Sequence, residues 1–187
     1  MGIFSLSAYS RKDHSKIIAA NWLLDAPTNK KVSLTLIICT FKKEEYVISN
    51  VNKLIDQNVL CEKIKFVIVD NSNKFVLSDK FENEKYITVL RQNNFGGAGG
   101  FSRGMLESAF LNENITDNDY LILMDDDIIF DPNIILKTKI LLEINLFKYC
   151  IGGQMFDSHN PNVLEALGTY FSKEEPLKFS KNSRILI

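Results

Sequence analysis

The sequence predicts an α/β fold with a mostly parallel central sheet flanked by helices, and three observations lead there. From Val32 onward, short and nearly continuous apolar runs alternate with helix-spaced segments, the pattern of strands buried on both faces of a parallel sheet. Each of the first four apolar runs stops at a polar side chain: Thr40, Asp70, Arg91 and Asp125. Parallel sheets bind ligands in the crevice outside the carboxyl ends of their strands, so these residues belong on one rim. The chain has 187 residues, 45% of them hydrophobic, enough to bury one sizeable core.

The elements follow in order. Val32–Cys39 is rich in β-branched residues and reads as the first strand. Lys42–Gln57 sets Tyr46, Val47, Val51, Leu54 and Ile55 at helical spacing, with Glu44 and Glu45 in the opening turn, where the helix dipole favours them. Ile64–Val69 and Tyr86–Leu90 are the second and third strands. A glycine-rich turn then leads into a helix continuing over Gly104–Leu111. Tyr120–Met124 is a fourth short strand, and it runs directly into Asp125, Asp126 and Asp127. Pro132–Leu146 reads as a helix with Asp131 at the N-cap and Pro132 at the first helical position. Tyr149–Phe156 is expected to form a further strand and Val163–Phe171 a weaker one. Met1–Lys31 shows no sustained period, and Pro27, Thr28 and Asn29 mark a linker. The expected organisation is therefore an N-terminal remnant or linker over 1–31, a ligand-binding domain over 32–171 and a tail over 172–187.

Charge narrows the partners. The 22 basic and 23 acidic residues nearly cancel, so no global field draws the chain to nucleic acid or to an anionic bilayer. Cys39, Cys61 and Cys150 are odd in number and lack metal-ligand spacing, which points to a reducing compartment and to thiols that pack as small hydrophobes. No apolar run reaches the length of a membrane helix, and the N-terminus lacks the order of a signal peptide. A cytoplasmic location follows as the expectation, with peripheral contact at the inner membrane face left open. His14 and His159 are the two histidines, and neither has a spaced partner suited to zinc.

The chemistry concentrates in two motifs. Met124-Asp125-Asp126-Asp127-Ile128 sets three consecutive carboxylates directly after a buried strand. Like charges at the edge of an apolar core call for a compensating cation, and hard oxygen ligands select Mg²⁺ or Mn²⁺. In an extended segment alternate side chains point the same way, so Asp125 and Asp127 are the expected metal ligands while Asp126 faces elsewhere. The competing reading is a solvated acidic loop, which most acidic runs are; the position at a strand end favours the metal.

Asn93-Asn94-Phe95-Gly96-Gly97-Ala98-Gly99-Gly100-Phe101-Ser102-Arg103-Gly104 is the second motif. Its glycines allow close backbone approach, and the helix that follows offers unpaired amides to an anion. Neither the dinucleotide fingerprint nor the P-loop spacing is met. The alternative is a flexible loop or tight packing of helix on sheet. Further side chains support the ensemble. Asp70 is able to accept a hydrogen bond from a base imide, Thr40 and Phe41 to flank the ring, and Arg103, ahead of Arg91, to neutralise phosphate.

Together, Ile37-Ile38-Cys39-Thr40-Phe41, Val69-Asp70-Asn71, the Asn94–Phe101 block and Met124-Asp125-Asp126-Asp127 resemble family 2 glycosyltransferases of the GT-A fold. The glycine block with Arg103-Gly104-Met105, and Gly152-Gly153-Gln154-Met155, is similar more narrowly to bacterial galactofuranosyltransferases, which use UDP-galactofuranose. The resemblance covers Trp22 to Phe171. It implies a metal-dependent inverting transferase of cell-surface polysaccharide synthesis, with a UDP-sugar donor and a glycan or lipid-linked glycan acceptor. Thr40 and Asp70 would contact uridine. Asn94, Gly96, Gly97, Gly99 and Gly100, within the Asn94–Phe101 block, would hold diphosphate and sugar, Asp126 would orient the donor, and Asp125 and Asp127 would bind Mn²⁺ or Mg²⁺.

The departure from that family lies after Asp127. Asp157, His159, Glu165, Glu174 and Glu175 follow, none in a Trp-Asp context resembling the family's base region. The expectation is a shortened chain whose catalytic base lies elsewhere. Two further readings stay open: a catalytically incomplete fragment that binds nucleotide-sugar, and a transferase using another donor such as dTDP-rhamnose. The apolar Ile185, Leu186 and Ile187 predict self-association.

Overall fold

The computed structural model describes residues 30–111, 115–144 and 151–160, together with Tyr9, Lys16 and the short stretches 163–166, 169–170 and 178–179. Four strands, β1 (Ser33–Thr40), β2 (Ile64–Asp70), β3 (Ile87–Arg91) and β4 (Asp119–Met124), form one sheet in the order β3-β2-β1-β4. All of its pairings are parallel. Helices α1 (Glu44–Asp56), α2 (Val76–Lys80), α3 (Gly96–Leu111) and α4 (Asn133–Ile144) connect or follow these strands. The α/β class and the parallel sheet are those the apolar runs predict.

The alternation of side chains along a strand divides the core between two faces. On one face Leu36, Ile38, Phe66 and Ile68 meet Val47, Val51 and Leu54 of α1, Leu77 of α2, and Ile135 and Leu142 of α4. On the other, Ile37, Val67 and Val69 pack against Phe101 of α3. Burying each of these large side chains contributes about 1.5–3 kcal/mol, so β1 and β2, apolar on both faces, anchor the sheet. Leu121 and Leu123 of β4 remain 43% and 50% exposed. Among the described residues, β4 pairs on one side alone, with β1.

Several elements differ from expectation. The glycine block is not a turn before a helix: α3 begins at Gly96, so the glycines form its first turns. The reason is packing. A Cβ on Gly100 would stand 1.9 Å from Cys39 Sγ, and one on Gly104 would stand 2.4 Å from Ile37 Cγ2. Residues four apart share one helix face, and this glycine face lets α3 lie close on β1. Tyr46, expected among the inward residues of α1, is exposed, whereas Asn50 is buried and donates to the Ile128 carbonyl at 2.7 Å. The short α2 has no counterpart in the sequence reading.

The region after α4 is also plainer than predicted. Of Tyr149–Phe156, Met155–Phe156 is a strand (β5), residues 151–154 are not, and 149–150 lie outside the described residues. Val163–Phe171 contains two short strands, β6 (Leu164–Ala166) and β7 (Thr169–Tyr170). They pair antiparallel with β5 and with β8 (Lys178–Phe179) respectively. The expected remnant over 1–31 and tail over 172–187 lie almost wholly outside the described residues, as do Trp22, Cys150 and Ile185–Ile187. No helix among the described residues is long and apolar enough to cross a membrane.

Candidate functional site

The sheet register aligns the strand ends. Thr40 is level with Asp70, Asp70 with Arg91, and Ile38 with Met124. The last polar residues of β1 and β2 and the segment after β4 therefore meet at one rim, as the strand order requires. An open cleft of about 240 Å³ lies there, lined by Cys39, Thr40, Phe41, Lys43, Asn71, Asn94, Gly96, Gly97 and Asp126.

Thr40 is buried and its hydroxyl donates to Asp126 Oδ2 at 2.9 Å. Asp70 is fully buried. Its Oδ1 accepts the Ser72 backbone N–H at 2.8 Å and the Ser72 hydroxyl at 2.6 Å. Its Oδ2 is buried without a hydrogen-bond partner. Such an oxygen typically costs about 1–3 kcal/mol, and among the described residues Ser78 Oγ of α2 is buried in the same state.

Asn71 ties three elements together. Its Nδ2 donates to the Gly96 carbonyl and to Cys39 Sγ, each at 3.2 Å, and its Oδ1 accepts from Gln92 Nε2 at 2.8 Å. The start of α3 is thereby held to the ends of β1 and β2. Asn94 Oδ1 accepts the Gly96 N–H at 2.9 Å. Gly96 has φ +70, a conformation glycine adopts without steric cost. No atom would lie within 4 Å of a Cβ at Gly96 or Gly97. The glycines thus separate into two sets: Gly96 and Gly97 face the cleft, while Gly100 and Gly104 serve helix–sheet packing. Gly99 belongs to neither, since its Cβ would stand 2.5 Å from Phe95 Cβ.

The aspartates do not continue the strand. Asp126 and Asp127 form a turn after β4, with Asp125 and Asp127 exposed and Asp126 half-buried. The extended geometry that would align Asp125 with Asp127 is therefore absent. The convergence that does occur is on Lys43, which the sequence reading passed over. Its Nζ is 2.6 Å from Asp127 Oδ2 and 3.5 Å from Asp126 Oδ1. The hydrogen bond between them pushes the Lys43 ammonium above the ordinary lysine value and holds Asp127 below the ordinary carboxylate value. Burial, assisted by the negative charge of Asp126, pushes the Cys39 thiol up. Among the described residues no three His, Cys, Asp or Glu side chains gather as a metal cluster.

Thr40, Phe41, Asn94, Gly96, Gly97 and Asp126 are thus brought to one cleft, with Asp70 level with Thr40 in the adjoining strand. Arg103 is exposed on α3, away from the cleft lining, and Arg91 stacks its guanidinium 3.6 Å from the centre of the Phe75 ring. Asn71 and Lys43 are the residues sequence reasoning underrated. The one sequence signal for Lys43 is its oddity as a residue opening a helix.

Against this geometry, the family model described as glycosyltransferase like family 2 matches residues 31–181, most of the chain. The chain belongs to glycosyltransferase family 2. The matched span takes in the parallel sheet and the whole cleft, and the α/β architecture is that of the family's GT-A fold. Within the family, the chain is 27% identical over 160 residues to the galactofuranosyltransferase GlfT2 of Mycolicibacterium smegmatis, covering 82% of this chain and 24% of that protein. It is 26% identical over 157 residues to GlfT2 of Mycobacterium tuberculosis, covering 80% and 24%. The chain therefore spans about a quarter of the length of the curated relatives it matches.

Proposed function

We propose that this family 2 chain binds the nucleotide diphosphate of a sugar donor, a UDP-sugar and specifically UDP-galactofuranose, as part of an inverting glycosyltransferase acting on a glycan or lipid-linked glycan. The observation that carries this reading is the buried and unpartnered Asp70 Oδ2 beside the cleft. An unpartnered carboxylate oxygen at the end of β2, next to the cleft-lining Asn71, suits the imide N–H of uracil, a donor that a carboxylate binds strongly. Phe41, exposed at the cleft wall, offers an aromatic face to the same ring.

The diphosphate fits the other side. Gly96 and Gly97 open a 16-residue helix with open space above their Cα atoms, and first-turn amides with the helix dipole favour an anion. The carboxylates suit a divalent ion in donor chemistry: Asp126 and Asp127 are hard oxygen ligands that already converge on one positive charge, that of Lys43. Asp127 would hold the ion, with Asp125 or Asp126 completing the carboxylate pair. When bound, Mn²⁺ or Mg²⁺ supplies positive charge to the leaving diphosphate.

Direct displacement of the diphosphate also needs a base for the acceptor hydroxyl. Asp126 is the carboxylate of the cleft lining among the described residues; Thr40 already donates to it and Lys43 pairs with it. The cleft accounts for donor binding, while the base for transfer is sought outside its lining. The similarity to two galactofuranosyltransferases supports galactofuranose over the sugar of dTDP-rhamnose. Displacement of bound UDP tests the choice: UDP-galactofuranose should compete at lower concentration than dTDP-rhamnose. Preferential displacement by dTDP-rhamnose would overturn it. Product formation from UDP-galactofuranose and a galactan-like acceptor tests transfer itself.

A further inference from the structure

Lys43 stands where nothing in the local sequence favours it. It occupies the N-cap position of α1 and makes no side-chain capping hydrogen bond. Ser, Thr, Asp and Asn are the residues that satisfy helix amides there, and a cation at a helix N-terminus opposes the macrodipole. The preceding Lys42 adopts φ 59, a left-handed conformation that is uncommon for a residue with a long side chain. The helix start gains nothing from this lysine. What the lysine meets is the Asp126–Asp127 turn, more than eighty residues away in sequence, at 3.5 and 2.6 Å. Lys43 is also one of the residues that line the cleft.

We propose that Lys43 is a resident counter-cation that occupies the Asp126 and Asp127 carboxylates in the ligand-free chain and must leave them when a divalent ion binds. The inference rests on the reading of these aspartates as metal ligands and goes beyond it by making lysine and metal mutually exclusive. Two cations drawn to the same carboxylates repel each other, so the ammonium lowers metal affinity while it stays in place. Lys43 borders the cleft, so an incoming diphosphate gives the displaced ammonium a new anionic partner. Lys43 thereby makes metal binding weak in the empty cleft and stronger when nucleotide is present, which by linkage strengthens nucleotide binding in return.

The test is titration of Mn²⁺ alone into the nucleotide-free chain, followed by the loss of the free-ion electron paramagnetic resonance signal. Wild type, K43A, K43R and D127N are compared, with circular dichroism confirming that each is folded. Removing the lysine charge should tighten Mn²⁺ binding by about threefold or more, the scale of an exposed ion pair. K43R retains the charge and should behave as wild type, and D127N should weaken binding. Added UDP should raise Mn²⁺ affinity more in wild type than in K43A. Equal or weaker Mn²⁺ binding by K43A, with D127N still impaired, overturns the inference and leaves the metal reading standing. Absence of Mn²⁺ binding in every protein overturns both.

Discussion

The Thr40 hydroxyl donates to Asp126 Oδ2 at 2.9 Å, across 86 residues of sequence. Through this bond the end of β1 fixes the turn that follows β4, and the β1–β2 register sets Asp70 level with Thr40 on the opposite side. Asp70, Thr40 and Asp126 thus form a row across three adjacent strand ends. Replacing Thr40 by Val keeps the shape and removes the donor. The expected cost is about 1 kcal/mol in stability, together with weaker UDP binding in Mn²⁺. Chemical denaturation and calorimetry on the same variant check both.

Asp70 gives the sharper prediction. In D70N, the amide can keep its carbonyl oxygen toward the Ser72 donors, but its NH₂ then replaces the unpartnered Oδ2. UDP affinity should fall about ten- to a hundredfold, the worth of a hydrogen bond to a charged group, with little change in melting temperature. Undiminished UDP affinity in a folded D70N chain would remove Asp70 from the base site.

The two sets of glycines should respond in opposite directions. An added methyl at Gly100 or Gly104 would meet Cys39 or Ile37 at 1.9 and 2.4 Å, so G100A and G104A should each lose about 1–3 kcal/mol of stability. G97A meets open space in the first turn of α3, where alanine costs no backbone strain. It should melt no lower than wild type while binding UDP less well, because its methyl enters the cleft. Thermal melts of the three variants distinguish the sets.

The Lys43–Asp127 pair sets a pH dependence whose sign follows from the two shifts. Asp127 is held below the ordinary carboxylate value, so its contribution is present above the unfolded value of about 3.9 and is lost as pH falls through the folded one. Lys43 is pushed up, so its contribution is present below the ordinary lysine value and is lost as pH rises through the folded one. The pair is exposed, so the effect is small. The difference in melting temperature between wild type and D127N should stay level from about pH 5 to pH 9 and shrink toward pH 3. A difference that grows on acidification would contradict the assignment.

The sheet was legible because β1 and β2 are buried on both faces, leaving unbroken apolar runs that stop visibly at Thr40 and Asp70. Helix α2 was not, because five residues are too few to show a period. The glycine block misled because glycine disfavours a helix interior, whereas Gly100 and Gly104 are used for close approach to Cys39 and Ile37, a contact between distant segments. Lys43 was hidden for the same reason: its meaning lies in a turn 84 residues away. Asp126 was legible as a strand-end carboxylate, but its bonds to Thr40 and Lys43 depend on β1 lying beside β4, which follows from strand order rather than from spacing.

Whether the cleft holds a nucleotide diphosphate is decided by calorimetric titration of UDP into the chain at fixed ionic strength, first with Mn²⁺ and then with a chelator. Saturable binding with Mn²⁺, weakening sharply when the ion is removed, is the expected result. Absence of UDP binding in Mn²⁺, or the same affinity with the chelator, would contradict a cleft that holds a nucleotide diphosphate through metal-bound carboxylates.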